Sequence, residues 1–186
     1  MMAFRYYPRK EQRLTETEDA QVFCENAERL CDDLQGYSTF LIDTIGTYLS
    51  GCTCSYKECI RDLEPREGFT DFIRHYHNQG KRILIHSDAF KGWQLRNIST
   101  RLGIDQYIDG YHGSDSSDFI KRHQKAKKNY AVMSEIEDMN LEESLVIGDA
   151  ASEYESTQAH GISYFETPYF LPGMIQDGFS FNHFIR

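Results

Sequence analysis

The sequence predicts an α/β protein in which a five-stranded parallel sheet carries helices on both faces. Five short apolar runs, each bounded by turn residues, alternate with longer segments whose apolar residues recur at helical spacing. That alternation is typical of parallel strands joined by right-handed helical crossovers. With 186 residues and no repeat, low-complexity tract or Pro/Ser-rich linker, the chain is expected to form one domain.

The N-terminal part is predicted to hold a polar arm over residues 1–14 and a helix over residues 15–36. The helix follows from one apolar face, and Gly36 is expected to end it. The single domain then spans residues 15–186, with its core over about 37–170 and a C-terminal tail behind it. The apolar face comprises Phe23, Ala27, Leu30 and Leu34.

The first half of the core begins with a buried strand in "STFLID". The helix "EGFTDFIRHYHNQG" follows, with Phe69, Phe72, Ile73 and Tyr76 on one face and a stop at Gly80. "KRILIHSD" is the second strand, "KGWQLRNISTRLG" a helix that closes at Gly103, and "QYIDGY" a short third strand.

The second half begins with the polar loop "HGSDSSD", which leads into a lysine-rich stretch. A helix is predicted around Tyr130, Met133 and Ile136. "ESLVIGD" is the fourth strand, "AASEYESTQAHG" a helix, and "ISYFE" the fifth strand.

Composition narrows the classes of function. A net charge of −9 argues against non-specific binding to the phosphate backbone of nucleic acids. No signal-peptide core and no run of 18 apolar residues is present, so a cytoplasmic protein outside the membrane is expected.

Cys52, Cys54 and Cys59 do not have the spacing of a C-x-x-C pair. Reduced thiols are favoured for these three cysteines, with a metal site as the alternative.

The residues that follow the strands suggest a site. Asp43 ends the first strand, Ser87 follows the second, and Asp149 follows the fourth with Glu153 one helical turn later. In open parallel sheets, ligands bind beyond the carboxyl ends of the strands. Carboxylates suit Mg²⁺, whereas a hydroxyl and a lysine ammonium suit phosphoryl oxygens. Each of these residues, taken singly, could instead cap a turn or a helix.

Other candidate groups are weaker. The chain has no G-x-x-x-x-G-K-[ST], G-x-G-x-x-G or G-x-S-x-G motif. His75 and His77 are interpreted as surface or packing residues, and His86 as a structural residue at the end of the second strand.

The ordered motifs "FLIDTIGT", "RILIHS" and "LVIGDAASE" resemble those of the haloacid dehalogenase (HAD) superfamily, whose members are mostly Mg²⁺-dependent phosphatases. The resemblance covers roughly residues 37–170. It implies a Rossmann-like HAD fold in which Asp43 is the nucleophile and a Mg²⁺ ligand. It also implies that the carbonyl of Ile45 and Asp149 bind the metal, that Glu153 supports it, and that Ser87 binds the phosphoryl group.

The family also places a lysine ahead of the helix that precedes its fourth motif. In the family this lysine lies some two dozen residues before the fourth motif. Lys125 fits that spacing best, with Lys121, Lys127 and Lys128 as alternatives. Asp43, Ser87 and Lys125 would then form the catalytic set, in which Ser87 and Lys125 bind phosphate.

Ile45 departs from the family pattern, which commonly has a second aspartate there as general acid. The resemblance therefore implies a slow phosphatase or one limited to good leaving groups. The alternative is a catalytically silent binding or scaffold protein on the same fold.

The segments Thr47–Ser87 and Ser87–Lys125 are too short for a full cap domain, so an open site is expected. A phosphorylated macromolecule as substrate and a homo-oligomer with a cap borrowed from a partner subunit are both left open.

Overall fold

The sheet of the protein has six strands, seen in a computed structural model. The structure describes residues 5–7, 33–50, 63–65, 69–116, 120–121 and 127–166. The strands of the sheet are β1 (Arg5–Tyr7), β2 (Thr39–Asp43), β5 (Arg82–His86), β6 (Gly110–His112), β9 (Ser144–Gly148) and β10 (Ser163–Glu166). Their spatial order is β1-β10-β9-β2-β5-β6.

Five of these strands run parallel, as the alternating pattern predicted. β2 lies in the middle, with β9 on one side and β5 on the other, and β10 and β6 lie farther out. The strand that ends in Asp43 is therefore flanked on both sides, and its side chains are buried along its whole length.

The sixth strand, β1, was not predicted. Arg5–Tyr7 pairs antiparallel with β10, with Tyr6 opposite Phe165. The sequence predicts only a polar arm here, because three residues are too few to show strand periodicity. The backbone edge of β10 supplies the partner. β1 is thus separated by two strands from β2, and residues 5–7 do not lie over the carboxyl end of β2.

Four helices connect the parallel strands in the described part of the chain. They are α1 (Phe69–Asn78), α2 (Gly92–Arg101), α3 (Tyr130–Glu137) and α4 (Ala151–His160). The predicted apolar face of α1 is confirmed, since Phe69, Phe72, Ile73 and Tyr76 are all buried.

The predicted helix around Tyr130, Met133 and Ile136 is confirmed as α3, on which Tyr130 and Met133 are buried and Ile136 is 57% exposed. One local expectation was wrong. The segment "QYIDGY" does not form a strand from its start. Asp105–Tyr107 is a 3₁₀ turn whose hydrogen bonds take up local backbone groups, and β6 begins only at Gly110.

Two short hairpins were also unforeseen. β3 (Leu49–Ser50) pairs with β4 (Glu64–Pro65), and β7 (Ile120–Lys121) pairs with β8 (Lys127–Lys128). Strands of two residues show no alternation, so the sequence pattern could not reveal them. Lys128 lies on β8 of the second hairpin.

Helices cover both faces of the sheet. Phe40, Ile42 and their neighbours pack with α1 and α2 in the larger apolar cluster. Leu41, Leu84 and Val146 pack with Tyr130 and Met133 of α3 in the smaller one. Because strand side chains alternate between faces, Asp43 lies on the same face as Leu41.

Several expectations fall outside the described residues. These are most of the helix over 15–36, Cys52, Cys54, Cys59, Lys125 and the C-terminal tail. Within that helix, residues 33–36 are helical and Leu34 is buried. In the described part of the chain, no helix combines the length and apolar character needed to cross a membrane.

An aromatic cluster anchors α1 to the central strand. The ring of Phe72 lies 5.6 Å from that of Phe40 and 4.6 Å from that of Tyr76. All three side chains are fully buried. Phe72→Ala should lower the free energy of unfolding by about 3–5 kcal/mol, because it removes these contacts and leaves a cavity.

Urea unfolding followed by circular dichroism would measure this loss. Trp93→Ala is the control, because Trp93 is 59% exposed and should change stability by about 0.5 kcal/mol or less. Equal losses in the two variants would contradict the burial assigned to Phe72.

Candidate active site

The candidate site lies at the carboxyl ends of three neighbouring strands. Asp43 is the last residue of β2, Ser87 follows β5, and Asp149 follows β9. The register of the parallel strands places Asp43 directly opposite His86. The sequence-predicted residues therefore gather at one edge of the sheet, where ligands bind in this class of fold.

A tight turn follows Asp43 and shapes the site. The amide of Tyr48 donates to the carbonyl of Asp43 (3.3 Å), and that of Leu49 donates to the carbonyl of Thr44 (2.7 Å). Gly46 adopts a φ of 87°, a conformation that favours glycine.

The same turn receives Asp149. A Cβ atom at Gly46 would lie only 1.9 Å from Oδ2 of Asp149, so the absence of a side chain at position 46 makes room for that carboxylate. The hydroxyl of Thr47 donates to Oδ1 of Asp149 over 3.4 Å. The Gly-Thr pair thus holds the acid from β9 against the loop that follows Asp43.

Lys128 is the lysine that the structure places in the site. Its Nζ donates to Oδ1 of Asp43 over 2.8 Å and also to Oε1 of Glu153. All three residues are buried. Lys128 was one of the four alternatives left open; Lys125, favoured by spacing, lies outside the described residues.

Glu153 occupies space left by a glycine. A Cβ atom at Gly148 would come within 1.8 Å of Oε2 of Glu153. The carboxylate of α4 therefore lies over the bare end of β9 and meets Lys128 there. Glu153 was predicted to support a metal site, and its direct contact is with the lysine.

The charges of Asp43 and Lys128 stabilise each other. Burial alone would raise the pKa of Asp43, but the Lys128 ammonium and a hydrogen bond from His86 lower it to about 2. Burial alone would lower the pKa of Lys128, but the charges of Asp43 and Glu153 raise it above its ordinary value. Asp43 is thus ionised and Lys128 protonated at pH 7.

His86 belongs to the site, although its sequence position favoured a structural role. Its Nδ1 lies 3.5 Å from Oδ1 of Asp43 and 3.7 Å from Oε1 of Glu153. Burial and then the charge of Lys128 lower the pKa of His86 to about 4, so the imidazole is neutral at pH 7. The strand register that puts His86 opposite Asp43 is not readable from one sequence.

Ser87 combines a local contact with an available proton. Its Oγ accepts from the amides of Ala89 (3.2 Å) and Phe90 (3.4 Å) and so caps the turn after β5. Accepting two N–H groups leaves the hydroxyl hydrogen for donation to another group. The capping role and the predicted phosphoryl contact are therefore compatible.

Ile45 supplies no group that could transfer a proton. It is partly buried and packs against the larger apolar cluster, and its backbone bridges to Leu49. The apolar side chain thus has apolar neighbours, in keeping with its chemistry.

The donor set fits a divalent cation. The site holds the acids Asp43, Asp149 and Glu153, and the Lys128 ammonium contacts Asp43 and Glu153. Burial, followed by the negative charge of Asp43 and with a further contribution from Asp149, raises the pKa of Glu153 despite Lys128. Glu153 therefore resists ionisation, and Asp43 and Asp149 are the oxygen ligands that suit Mg²⁺.

A second group of donor atoms was not predicted. Asp43, His86 and Glu153 each offer one atom, and these atoms lie within 4.8 Å of one another. The Lys128 ammonium bonds to both carboxylates of this group, and a protonated lysine has no lone pair for a metal. This group therefore suits the lysine better than a metal ion.

Comparison with known proteins identifies the fold. No protein-family model matches the chain, and no curated protein matches it in sequence. A hydrolase from Streptococcus pneumoniae TIGR4 shares 20% identity, with a TM-score of 0.54 over 69% of this chain and 91% of that one. A HAD-superfamily hydrolase of subfamily IA from Geobacter sulfurreducens shares 10% identity, with a TM-score of 0.54 over 69% and 88% of the two chains.

A haloacid dehalogenase-like protein from Bacteroides fragilis has a TM-score of 0.57 at 14% identity, over 69% of this chain and 86% of that one. Identities this low show the fold alone. The protein has the HAD-like fold, a Rossmann-like α/β architecture with five parallel strands, as the ordered motifs predicted.

Removing the ammonium of Lys128 should leave two buried carboxylates without compensation. Lys128→Met is expected to lower the free energy of unfolding at pH 7 by about 3–5 kcal/mol. Because the pKa of Asp43 falls from 3.8 to about 2 on folding, the pair stabilises the fold above the ordinary pKa of the acid. That stabilisation is lost as the pH falls to about 2, so the difference between wild type and variant should shrink on acidification.

Chemical denaturation at several pH values measures this difference. Arg74→Met is the control, because Arg74 forms an exposed ion pair with Asp71 at 3.6 Å and should change stability by about 0.5 kcal/mol or less. Adding Glu153→Gln to Lys128→Met should restore part of the loss. A loss that is independent of pH would contradict the electrostatic role of Lys128.

Proposed function

We propose that the protein is a Mg²⁺-dependent phosphohydrolase in which Asp43 forms an aspartyl-phosphate intermediate. The observation that carries this proposal is the buried carboxylate of Asp43, held by Lys128 at the carboxyl end of a central strand. Carboxylates act as covalent nucleophiles towards phosphoryl groups. The HAD-like fold of hydrolases from other organisms supports the assignment.

In the first step, an oxygen of Asp43 forms a bond to phosphorus while the bond from phosphorus to the leaving oxygen breaks. The hydroxyl of Ser87 and the ammonium of Lys128 are available to donate to the phosphoryl oxygens as charge develops there. In the second step, the oxygen of a water molecule forms a bond to phosphorus while the bond between phosphorus and Asp43 breaks. The proton lost by the water passes to solvent or stays on the inorganic phosphate released, and the carboxylate of Asp43 is regenerated.

Asp43, Asp149 and the backbone carbonyl of Ile45 would hold Mg²⁺, with Glu153 in support through Lys128. When bound, the ion supplies positive charge that stabilises the phosphoryl oxygens. The turn at Gly46 and Thr47 positions Asp149 for this role.

Ile45 cannot donate a proton to the leaving oxygen. Positioned acid–base catalysis is typically worth about 10²–10⁴-fold in rate. We therefore infer that the substrates have good leaving groups, such as acyl phosphates or phosphoanhydrides, whose anions need little protonation. The segments Thr47–Ser87 and Ser87–Lys125 are too short for a full cap domain, which favours an open site and a macromolecular substrate.

A phosphatase assay tests the nucleophile. The purified protein should release phosphate from acetyl phosphate only when Mg²⁺ is present, and Asp43→Asn should abolish release because an amide oxygen is a poor nucleophile. Asp71→Asn, on the exposed side of α1, is the control and should retain full activity. Unchanged activity in Asp43→Asn would rule out the covalent mechanism.

A second assay tests the role of Ile45. Ile45→Asp should raise turnover of an alkyl phosphate more than that of acetyl phosphate, by up to about 10²-fold, because it restores a proton donor for a poor leaving group. Ile45→Asn is the matched control, since it adds polarity without a transferable proton. Equal gains on both substrates would refute the explanation.

The silent alternative has one specific observation in its favour, the apolar contacts of Ile45. It predicts that calorimetry detects Mg²⁺ and orthovanadate binding while no phosphate ester, anhydride or acyl phosphate is hydrolysed. The acetyl phosphate assay decides between the two candidates.

A further inference from the structure

His86 is a buried titratable residue to which the proposed chemistry assigns no step. It ends β5 and has no exposed surface, and it faces Asp43 across the parallel pair β2–β5. A polar ring in such a position needs a reason, because burying it costs free energy unless it is hydrogen-bonded.

The contacts of the ring define which atom carries the proton. Nδ1 of His86 lies 3.5 Å from Oδ1 of Asp43, which is ionised, and 3.7 Å from Oε1 of Glu153. An ionised carboxylate can only accept, so a lone pair on Nδ1 would be repelled there. Nδ1 therefore carries hydrogen and donates towards Asp43.

The ring is held in this orientation. The ring of Tyr130 lies edge-on to the imidazole, with centroids 6.1 Å apart and planes at 72°. The hydroxyl of Thr44 donates to the carbonyl of His86 over 2.7 Å, which ties the end of β5 to the residue after Asp43. The donor is thus fixed relative to the strand that carries the nucleophile.

Two donors therefore converge on one oxygen of Asp43. Nζ of Lys128 lies 2.8 Å from Oδ1, the same oxygen that faces His86. The terminal torsion of an aspartate is broad and roughly two-fold, so one contact leaves the carboxylate free to rotate. A second donor from another direction restricts that rotation.

We propose that His86 is a positioning residue that, together with Lys128, holds Oδ1 of Asp43 so that Oδ2 is the oxygen presented to phosphorus. The proposal rests on the phosphohydrolase function proposed above. His86 itself touches no substrate; it acts through Asp43. A nucleophile displaced by about 1 Å can lose roughly 10²-fold in rate, which sets the size of the expected effect.

Kinetics of two variants at position 86 test the proposal. His86→Leu removes the donor, and His86→Asn keeps an N–H donor near the position of Nδ1. With acetyl phosphate and Mg²⁺, His86→Leu should lower kcat by about 10–100-fold with KM changed less than about two-fold. His86→Asn should recover most of kcat, and His75→Leu, on α1, should match wild type.

Three outcomes would overturn the proposal: wild-type kcat in His86→Leu, a change confined to KM, or equal loss of kcat in both variants at position 86. Unfolding curves accompany the kinetics. Should His86→Leu fail to fold, the comparison of His86→Asn with wild type decides the matter, since it must retain most of kcat.

A spectroscopic measurement is independent of turnover. Long-range ¹H–¹⁵N correlation on the full-length protein at pH 7 should show hydrogen on Nδ1 of His86, with a shift that changes in Asp43→Asn. Hydrogen on Nε2 alone, or no response to Asp43→Asn, would overturn the positioning contact. If wild type releases no phosphate while this signal is present, the phosphohydrolase proposal fails and the contact itself stands.

Discussion

The buried ammonium of Lys128 is the interaction on which the arrangement of the site depends. It lies between the carboxylates of Asp43 and Glu153, on the side of the sheet that packs against α3 and α4. Two carboxylates so close and so deeply buried would repel each other and lose their hydration. One protonated lysine offsets both the repulsion and the lost hydration. It also keeps Asp43 ionised, the state in which a carboxylate can attack phosphorus.

Space in this site is made by residues that lack side chains. Gly46 leaves room for Asp149 in the turn after β2, and Gly148 leaves room for Glu153 at the end of β9. The acids thus approach the central strand more closely than a sheet with side chains at those positions would allow. Backbone geometry and charge compensation act together, since the glycines permit the approach and Lys128 makes it favourable.

The sequence predicted those features that depend on local patterns. The five parallel strands and the apolar face of α1 follow from periodicity, and the acids at strand ends follow from the position of turns. The identity of the lysine did not follow, because β7 and β8 are two-residue strands whose pairing has no periodic pattern. Spacing alone left four lysines open.

His86 and β1 escaped prediction for a different reason. Both depend on pairing between distant parts of the chain. His86 meets Asp43 because of the register of two parallel strands, and Arg5–Tyr7 is a strand because β10 offers an edge. A single sequence contains no signal for such pairing when the segments are short.

The contact between position 148 and Glu153 has an evolutionary consequence. A Cβ atom at position 148 would overlap Oε2 of Glu153, so these two positions cannot drift independently. A descendant of this chain that gains a side chain at 148 must shorten or move the acid at 153, and Lys128 then loses one of its two partners. Among homologous chains, glycine at 148 and a long acid at 153 should therefore be inherited together, and their substitution should be correlated.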